Sequence, residues 1–366
     1  MAHLLDRDPI PPLDDLLRQS TTGRTILITG AGGSIGRELG RQLVPYEPRA
    51  LILLDRCRQT LDESAHELEG QAAKISTIVG SAGDQPTLDR AFTAHPVDIV
   101  YHAAADKHVP LVEATPIEGL TNNTLGTRTI ARSSAKAGVH AFVLISTDKA
   151  VRPAGVMGAS KRMAELAVHS ISLDRGNTHD TAFAIVRFGN VLGSSGSVVP
   201  IFHKQILAGA PLTLTHAEAT RFFMTSEEAA QLVIQAGAMA RGGETFVLDM
   251  GEPVRILDLA RRMLLLSRGD QCDDTPGEIA SVGLRPGEKM HEELCIDGIT
   301  SATSHPRIMQ TIETTPPRQQ IDGWLDELEH ACNTCNVDAA YRVLACAVED
   351  YHAPQDPMGA VITEER

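Results

Sequence analysis

Three side chains near the middle of the sequence have the types and spacing for proton chemistry. The apolar run Phe142-Val-Leu-Ile-Ser146 reads as a buried strand and ends in Thr147-Asp148-Lys149. Lys161 follows in Met157-Gly-Ala-Ser-Lys161, which begins eight residues after Lys149 and runs at helical spacing. Strands of an open α/β sheet present their carboxyl ends to the ligand crevice. Asp148 and Lys149 are therefore expected in that crevice, with Lys161 projecting from the next helix. An acid beside an amine suits an elimination, in which one proton is given and another taken. Standing alone, the pair reads as a solvated ion pair worth little; the fixed placement of Lys161 and the motifs around it favour chemistry.

These groups need a sheet to position them. Thr25-Ile-Leu-Ile-Thr29 is a short β-branched run, followed at once by Gly30-Ala-Gly-Gly33-Ser34-Ile35-Gly36 and a helix-period stretch to Val44. Glycines between strand and helix allow a tight turn and close backbone approach to a pyrophosphate, which the helix N-terminus attracts. Gly30, Gly33, Ser34, Ile35 and Gly36 are the expected cofactor loop. The next apolar run, Ala50-Leu-Ile-Leu-Leu-Asp55, ends in an acid 19 residues beyond Gly36, close to the roughly 20 expected of a ribose-binding carboxylate. Asp55 accepts an adenosine 2′-hydroxyl and repels a 2′-phosphate, so NAD is favoured over NADP. Arg56 and Arg58 follow it and offset part of that repulsion. Ala103-Ala104-Ala105 ends the strand Val97–His102, where small residues let a cofactor ribose lie against backbone. Asn123, just ahead of Leu125-Gly-Thr, is placed with the cofactor set.

Strands alternate with helical stretches through Arg187, which predicts an α/β fold with a Rossmann-type, doubly wound parallel sheet. From Gly189 the segments become shorter and more mixed. The expected organisation is an arm over 1–23, an NAD-binding Rossmann domain over 24–188, a smaller substrate-binding lobe over 189–352 whose strands can return to the main sheet, and a loose tail over 353–366.

Composition narrows the partners. The chain has 366 residues, 42% hydrophobic and 22% charged, with a net charge of −14, which disfavours a nucleic-acid surface. No apolar run is long enough to span a bilayer, and the start lacks the layout of a secretory signal. No membrane insertion and a cytoplasmic location are expected. The cysteines at 57, 272, 295, 332, 335 and 346 have no framework spacing. Cys332-Asn-Thr-Cys335 lacks a second ligand pair, so no metal is expected.

The ordered motifs resemble the extended short-chain dehydrogenase/reductases, in particular their CapD-like polysaccharide-biosynthesis branch of UDP-N-acetylglucosamine 4,6-dehydratases. They are Thr29-Gly-Ala-Gly-Gly-Ser-Ile-Gly36, His102-Ala-Ala-Ala105 with Lys107-His-Val-Pro-Leu111, Ser146-Thr-Asp-Lys-Ala150, and Val156-Met-Gly-Ala-Ser-Lys-Arg162. Arg187-Phe-Gly-Asn-Val-Leu-Gly-Ser-Ser-Gly-Ser197, Thr220-Arg-Phe-Phe-Met-Thr225 and Gly283-Leu-Arg-Pro-Gly-Glu-Lys289 follow. The match runs from about residue 20 to 345 and resembles the soluble catalytic part of longer, membrane-anchored members.

The resemblance implies an NAD-dependent nucleotide-sugar 4,6-dehydratase, most simply of UDP-N-acetylglucosamine, yielding a 4-keto-6-deoxy sugar. Asp148 would protonate the departing C6 hydroxyl, Lys149 remove the C5 proton, and Lys161 hold the nicotinamide ribose. Lys149 needs a depressed pKa to act as a base near neutrality, with Arg152 and Lys161 as candidate cations. Short-chain dehydrogenases place Tyr where Met157 stands, so the C4 proton must leave through Thr147 or Asp148. Ser81 replaces the usual adenine-binding acid, with Asp84 nearby, and Asp106 stands where relatives often have Tyr. Arg221 and Arg285 are the cations for the diphosphate. Lys107, Asn190, Val199 and Thr213 are expected along the substrate, Glu288 at its ribose, and a homo-oligomer is implied. A nucleotide-sugar 4-epimerase, a 5,6-dehydratase and a catalytically silent NAD-binding regulatory protein are the alternatives.

Overall fold

Seven apolar runs of the sequence line up as parallel strands: β1 Thr25–Thr29, β2 Ala50–Asp55, β3 Lys74–Val79, β4 Ile99–His102, β5 Ala141–Ile145, β6 Ala182–Arg187 and β7 Glu244–Leu248. Two antiparallel strands, β8 Thr300–Ala302 and β9 Ile308–Thr311, complete one edge, giving the order β8-β9-β7-β6-β5-β4-β1-β2-β3. The computed structural model describes residues 11–71, 73–174, 181–268 and 279–353. Residues 1–10 of the arm, Cys272 and the expected loose tail from Pro354 lie outside the described residues.

The central strands are apolar at successive positions because both faces of the sheet are covered. Ile26 and Ile28 enter one core, with Leu51, Leu53 and Val143; Leu27 enters the other, with Ile52, Val100 and Phe142. This is the two-residue alternation of a pleated strand. Strand order reverses between β1 and β4, so the crevice opens at the carboxyl ends of those two strands.

Residues after Gly189 divide between sheet and lobe. Strands β7 to β9 extend the main sheet, and the helix Ser226–Met239 packs on its first core through Ala229, Val233 and Ala236. The helices Arg318–Asn333 and Val337–Ala347 bury Ile321, Leu325 and Leu344 against Met163 and Leu166 of the Val156–Ser172 helix. The remainder forms a small lobe around Leu192, Phe202, Leu212, Leu214 and Leu259. It contains the helices Val198–Leu207 and Ile256–Arg268 and paired short strands, Leu212–Leu214 with Ile279–Ser281 and Thr220–Arg221 with Val254–Arg255. The described end of the arm is a helix, Asp14–Thr21, that buries Leu17. Leu13 N–H just ahead of it donates to Gln235 at 2.8 Å. Among the described residues no helix is long and apolar enough to cross a membrane.

Candidate functional site

A cleft at the carboxyl ends of β1, β2 and β4 is lined by Gly30, Gly33, Asp55, Arg56, Ser81, Asn122 and the run Ala103-Ala104-Ala105, among others. Gly30 holds φ +65°, and a Cβ there would lie 2.6 Å from Ala104 N; one on Gly36 would lie 2.1 Å from Gly30 O. Only glycine lets the loop pass so close to the Ala103–Ala105 backbone and lets the helix Ser34–Leu43 start so near it. That helix has no side-chain cap at Gly33, leaving N–H groups for an anion. Asp55 accepts from Gly32 N–H at 2.9 Å and Cys57 N–H at 2.8 Å, which fixes the carboxylate while leaving lone pairs for a hydroxyl. The cradle fits a dinucleotide. Arg56 pairs with Asp106 beside the cleft.

Two expected cofactor residues are engaged by hydrogen bonds within the fold. Asp84 caps the helix Gln85–Ala94, accepting from Thr87 N–H at 2.9 Å and Thr87 Oγ1 at 2.6 Å. Asn123 is fully buried, bonded to Asp106 and Ser160, while its neighbour Asn122 faces the cleft. A single-residue step along an irregular helical turn, Thr121–Leu125, decides which asparagine lines the cleft. Ile35 packs against the first core, and Ser34 Oγ accepts from Ser195 N–H at 3.5 Å, drawing the 189–197 loop over the glycine turn.

The Thr147-Asp148-Lys149 turn stands at the end of β5. Asp148 is wholly buried and Lys149 half-buried, so the pair is only partly solvated. Thr147 Oγ1 donates to Asp148 Oδ1 at 2.9 Å, and Lys149 Nζ donates to Asp148 Oδ1 and Asn190 Oδ1, both at 3.0 Å. Asp148 Oδ2 is buried without a hydrogen-bond partner. A further carboxylate, Glu292, lies with Oε1 3.5 Å from Lys149 Nζ and 3.7 Å from Arg221 Nε. The segment carrying it is fixed to the turn by Lys289 Nζ donating to Val151 O at 2.7 Å and by Arg152 with Glu293 at 2.6 Å.

This arrangement corrects the expected state of Lys149. Burial disfavours its ammonium, but Asp148 and Glu292 outweigh burial and Arg221, holding its pKa above the ordinary lysine value. Of the two expected cations, Arg152 is engaged by Glu293 and Asp350, and Lys161 Nζ is turned to Ile145 O at 2.8 Å. Lys161 itself has a lowered proton affinity: burial brings it to about 8, with Glu165 opposing. Beside it His102 is held neutral by burial and by Lys161, at about 3, and pairs with Thr29 and Thr127 at 2.7 and 3.0 Å.

Met157 is 4% exposed and packs with Val112, Leu120 and Val156, while also lining a small hollow with Lys149, Gly155, Gly287 and Glu292. Of the expected substrate residues, Arg221 and Asn190 meet at the Lys149 cluster. Arg221 is 8% exposed, and its guanidinium donates to Thr220 O and Met290 O at 2.7 and 3.2 Å. Val199 lies in the lobe core, and Thr213 is held by Gln205 at 2.8 Å. Arg285 and Lys107 are exposed, and Arg285 N–H donates to Glu288 at 3.4 Å. Among the described residues no cluster has the composition of a metal site. The sequence reading missed Glu292, Asn122 and the cleft-lining Gly80 and Ala82; for Glu292 no local signal exists, since the folding-back of the 283–295 segment places it.

Comparison with known proteins follows the same lines. The family model described as polysaccharide biosynthesis protein matches residues 26–313. The capsular polysaccharide biosynthesis protein CapD of Staphylococcus aureus is 47% identical over 297 residues, which are 80% of this chain and 49% of that protein. The chain thus spans about half the length of CapD. An inverting UDP-N-acetylglucosamine 4,6-dehydratase of Campylobacter jejuni is 33% identical, covering 77% of this chain and 79% of its own. A UDP-glucose 4-epimerase of Rickettsia canadensis is 32% identical, covering 74% and 77%. Among solved structures, Pen from Bacillus thuringiensis superimposes with a TM-score of 0.73 at 30% identity, over 81% of this chain and 92% of its own.

Proposed function

The chain is a member of the polysaccharide biosynthesis protein family, and on that premise we propose that it is an NAD-dependent nucleotide-sugar 4,6-dehydratase acting on UDP-N-acetylglucosamine. Bound NAD would supply a hydride acceptor that later returns the hydride. Gly30, Gly33, Gly36, Asp55 and the Ala103–Ala105 run are the residues to hold it, with Lys161 at its nicotinamide ribose. Arg221 and Arg285 would meet the diphosphate.

The observation that carries the reading is the Asp148–Lys149 pair at a strand end, with Asp148 buried, its Oδ2 unpartnered, and Lys149 partly exposed. Elimination across C5–C6 needs an acid and a base together; epimerisation at C4 needs neither at that place. The hydrogen bond from Thr147 to Asp148 supplies a route that no phenol has to provide. Thr147 receives the C4 hydroxyl proton and passes its own to Asp148, which delivers it to the departing C6 hydroxyl. One proton taken in oxidation is thereby matched by one lost with water, the Thr147 hydroxyl is restored by the C4 proton, and the carboxylate is regenerated. Lys149 acts as the free amine, its own proton first released to the solvent that its side chain reaches. It then takes the C5 proton as the C6–O bond breaks and returns it to C5 when C6 is reduced.

Incubation with UDP-N-acetylglucosamine and NAD, followed by mass spectrometry, tests the reading. A product lighter by one water supports it. The relatedness to UDP-glucose 4-epimerases favours the second reading, 4-epimerisation, whose product has the mass of the substrate.

A further inference from the structure

Lys149 is an amine with a carboxylate on either side. Asp148 reaches it along the chain, and Glu292 reaches it from the segment that folds back, with Oε1 3.5 Å from Nζ. Glu292 is 7% exposed, and its Oε2 is buried without a hydrogen-bond partner. Burying a carboxylate with an unfilled acceptor costs free energy, which the ammonium and guanidinium facing its other oxygen offset. The segment is already held by Lys289 and by the Arg152–Glu293 pair, which bring Glu292 to the amine from both sides.

We propose that Glu292 is a positioning residue of this site, which together with Asp148 fixes Nζ of Lys149 and sets how firmly the amine holds a proton. The charged groups facing Lys149 are Asp148, Glu292 and Arg221, with Lys289 on the rim of the same hollow. Use of that proton in an elimination rests on the dehydratase reading; the control of it does not. In the elimination, which starts from the free amine of Lys149, the C5–H bond breaks, an N–H bond forms on Lys149, and the C6–O bond breaks with the proton that Asp148 carries. Asp148 is neutral at that moment, having taken the C4 hydroxyl proton. Glu292 then remains as the anion that stabilises the ammonium forming on Lys149.

Competitive acetylation of the full chain with acetic anhydride, followed by peptide mass spectrometry across pH, reads the proton affinity of Lys149 without turnover. In Glu292→Gln the labelling midpoint of Lys149 moves to lower pH, raising labelling below the original midpoint about tenfold for each unit moved. Glu292→Met, also neutral, gives the same shift, and Glu292→Asp, which keeps the charge, retains the original midpoint. In turnover, the acid limb of kcat/KM moves with the label. An unchanged midpoint in a folded Glu292→Gln or Glu292→Met chain overturns the proposal, as does an equal shift in Glu292→Asp. If the midpoint shifts as stated but no UDP-hexose yields a product lighter by one water, the dehydratase reading fails and the inference about Glu292 stands.

Discussion

Ser146 Oγ donates a 2.6 Å hydrogen bond to Glu165 Oε1, tying the end of β5 to a buried charge cluster. Glu165 and Arg187 are both fully buried, with Arg187 Nη2 2.6 Å from Glu165 Oε2. Arg162 lies 2.9 Å from both Glu165 and Glu313, and Arg187 also pairs with Glu313. The cluster joins β5, β6 and the Val156–Ser172 helix to Glu313, two residues beyond the end of β9. The turn with Thr147, Asp148 and Lys149 therefore leaves a strand end that is held from below.

Removing one member of this cluster leaves the others charged and buried. Arg187→Met is expected to destabilise the fold by about 3–5 kcal/mol, read as a lower urea midpoint. Burial alone would raise the Glu165 carboxyl, but Arg187 and Arg162 bring it to about 2. The sign follows: its contribution is present above the unfolded carboxyl pKa and is lost as pH falls through about 2. Unfolding titrations from pH 5 downward should show that loss, and Glu165→Gln should flatten it.

Lys161 has a linkage of the same sign, but in its case the charged form is the one that costs stability. Its folded pKa of about 8 lies below the ordinary lysine value, so at neutral pH the buried ammonium costs stability, and the cost fades as pH rises through 8 toward the unfolded value. Lys161→Met should be more stable than the parent at pH 7, by on the order of 1–3 kcal/mol, with the advantage shrinking above pH 8. The same substitution should weaken NAD binding, measured by fluorescence titration.

Gly30→Ala places a methyl 2.6 Å from Ala104 N at a backbone φ of +65°. The expected result is loss of NAD binding with a lowered melting temperature, since the loop must move away from the Ala103–Ala105 run. Gly23→Ala, at φ +68° with nothing within 4 Å of the added Cβ, controls for backbone strain and should retain binding.

Much of this was legible in the sequence. Runs such as Ala50-Leu-Ile-Leu-Leu declare strands buried on both faces, and the glycine loop after Thr29 marks the crevice because strand and helix flank it. Three-dimensional proximity was not legible. Glu292 reaches Lys149 only after the 283–295 segment folds back, so the proton affinity of Lys149 came out raised where a lowered one was expected. The cap made by Asp84 and the inward turn of Asn123 depend on one-residue differences in helix start and phase.

Met157 and Lys149 should respond in contrasting ways. Met157 is packed among Val112, Leu120 and Val156, so Met157→Leu should turn over normally and Met157→Ala should lose about 2–4 kcal/mol of stability while keeping chemistry. Lys149→Ala should abolish product while leaving NAD bound. Product assays beside cofactor titrations separate the two; undiminished turnover in Lys149→Ala removes the lysine from the base role.

The central claim is that hydrogen moves from C4 to C6 as water is lost. Its most direct measurement uses UDP-N-acetylglucosamine carrying deuterium at C4, with the product examined by mass spectrometry and NMR. The expected product is lighter than the substrate by one water and carries the deuterium at C6. A product of unchanged mass with deuterium still at C4 contradicts the account and assigns the chain to epimerisation.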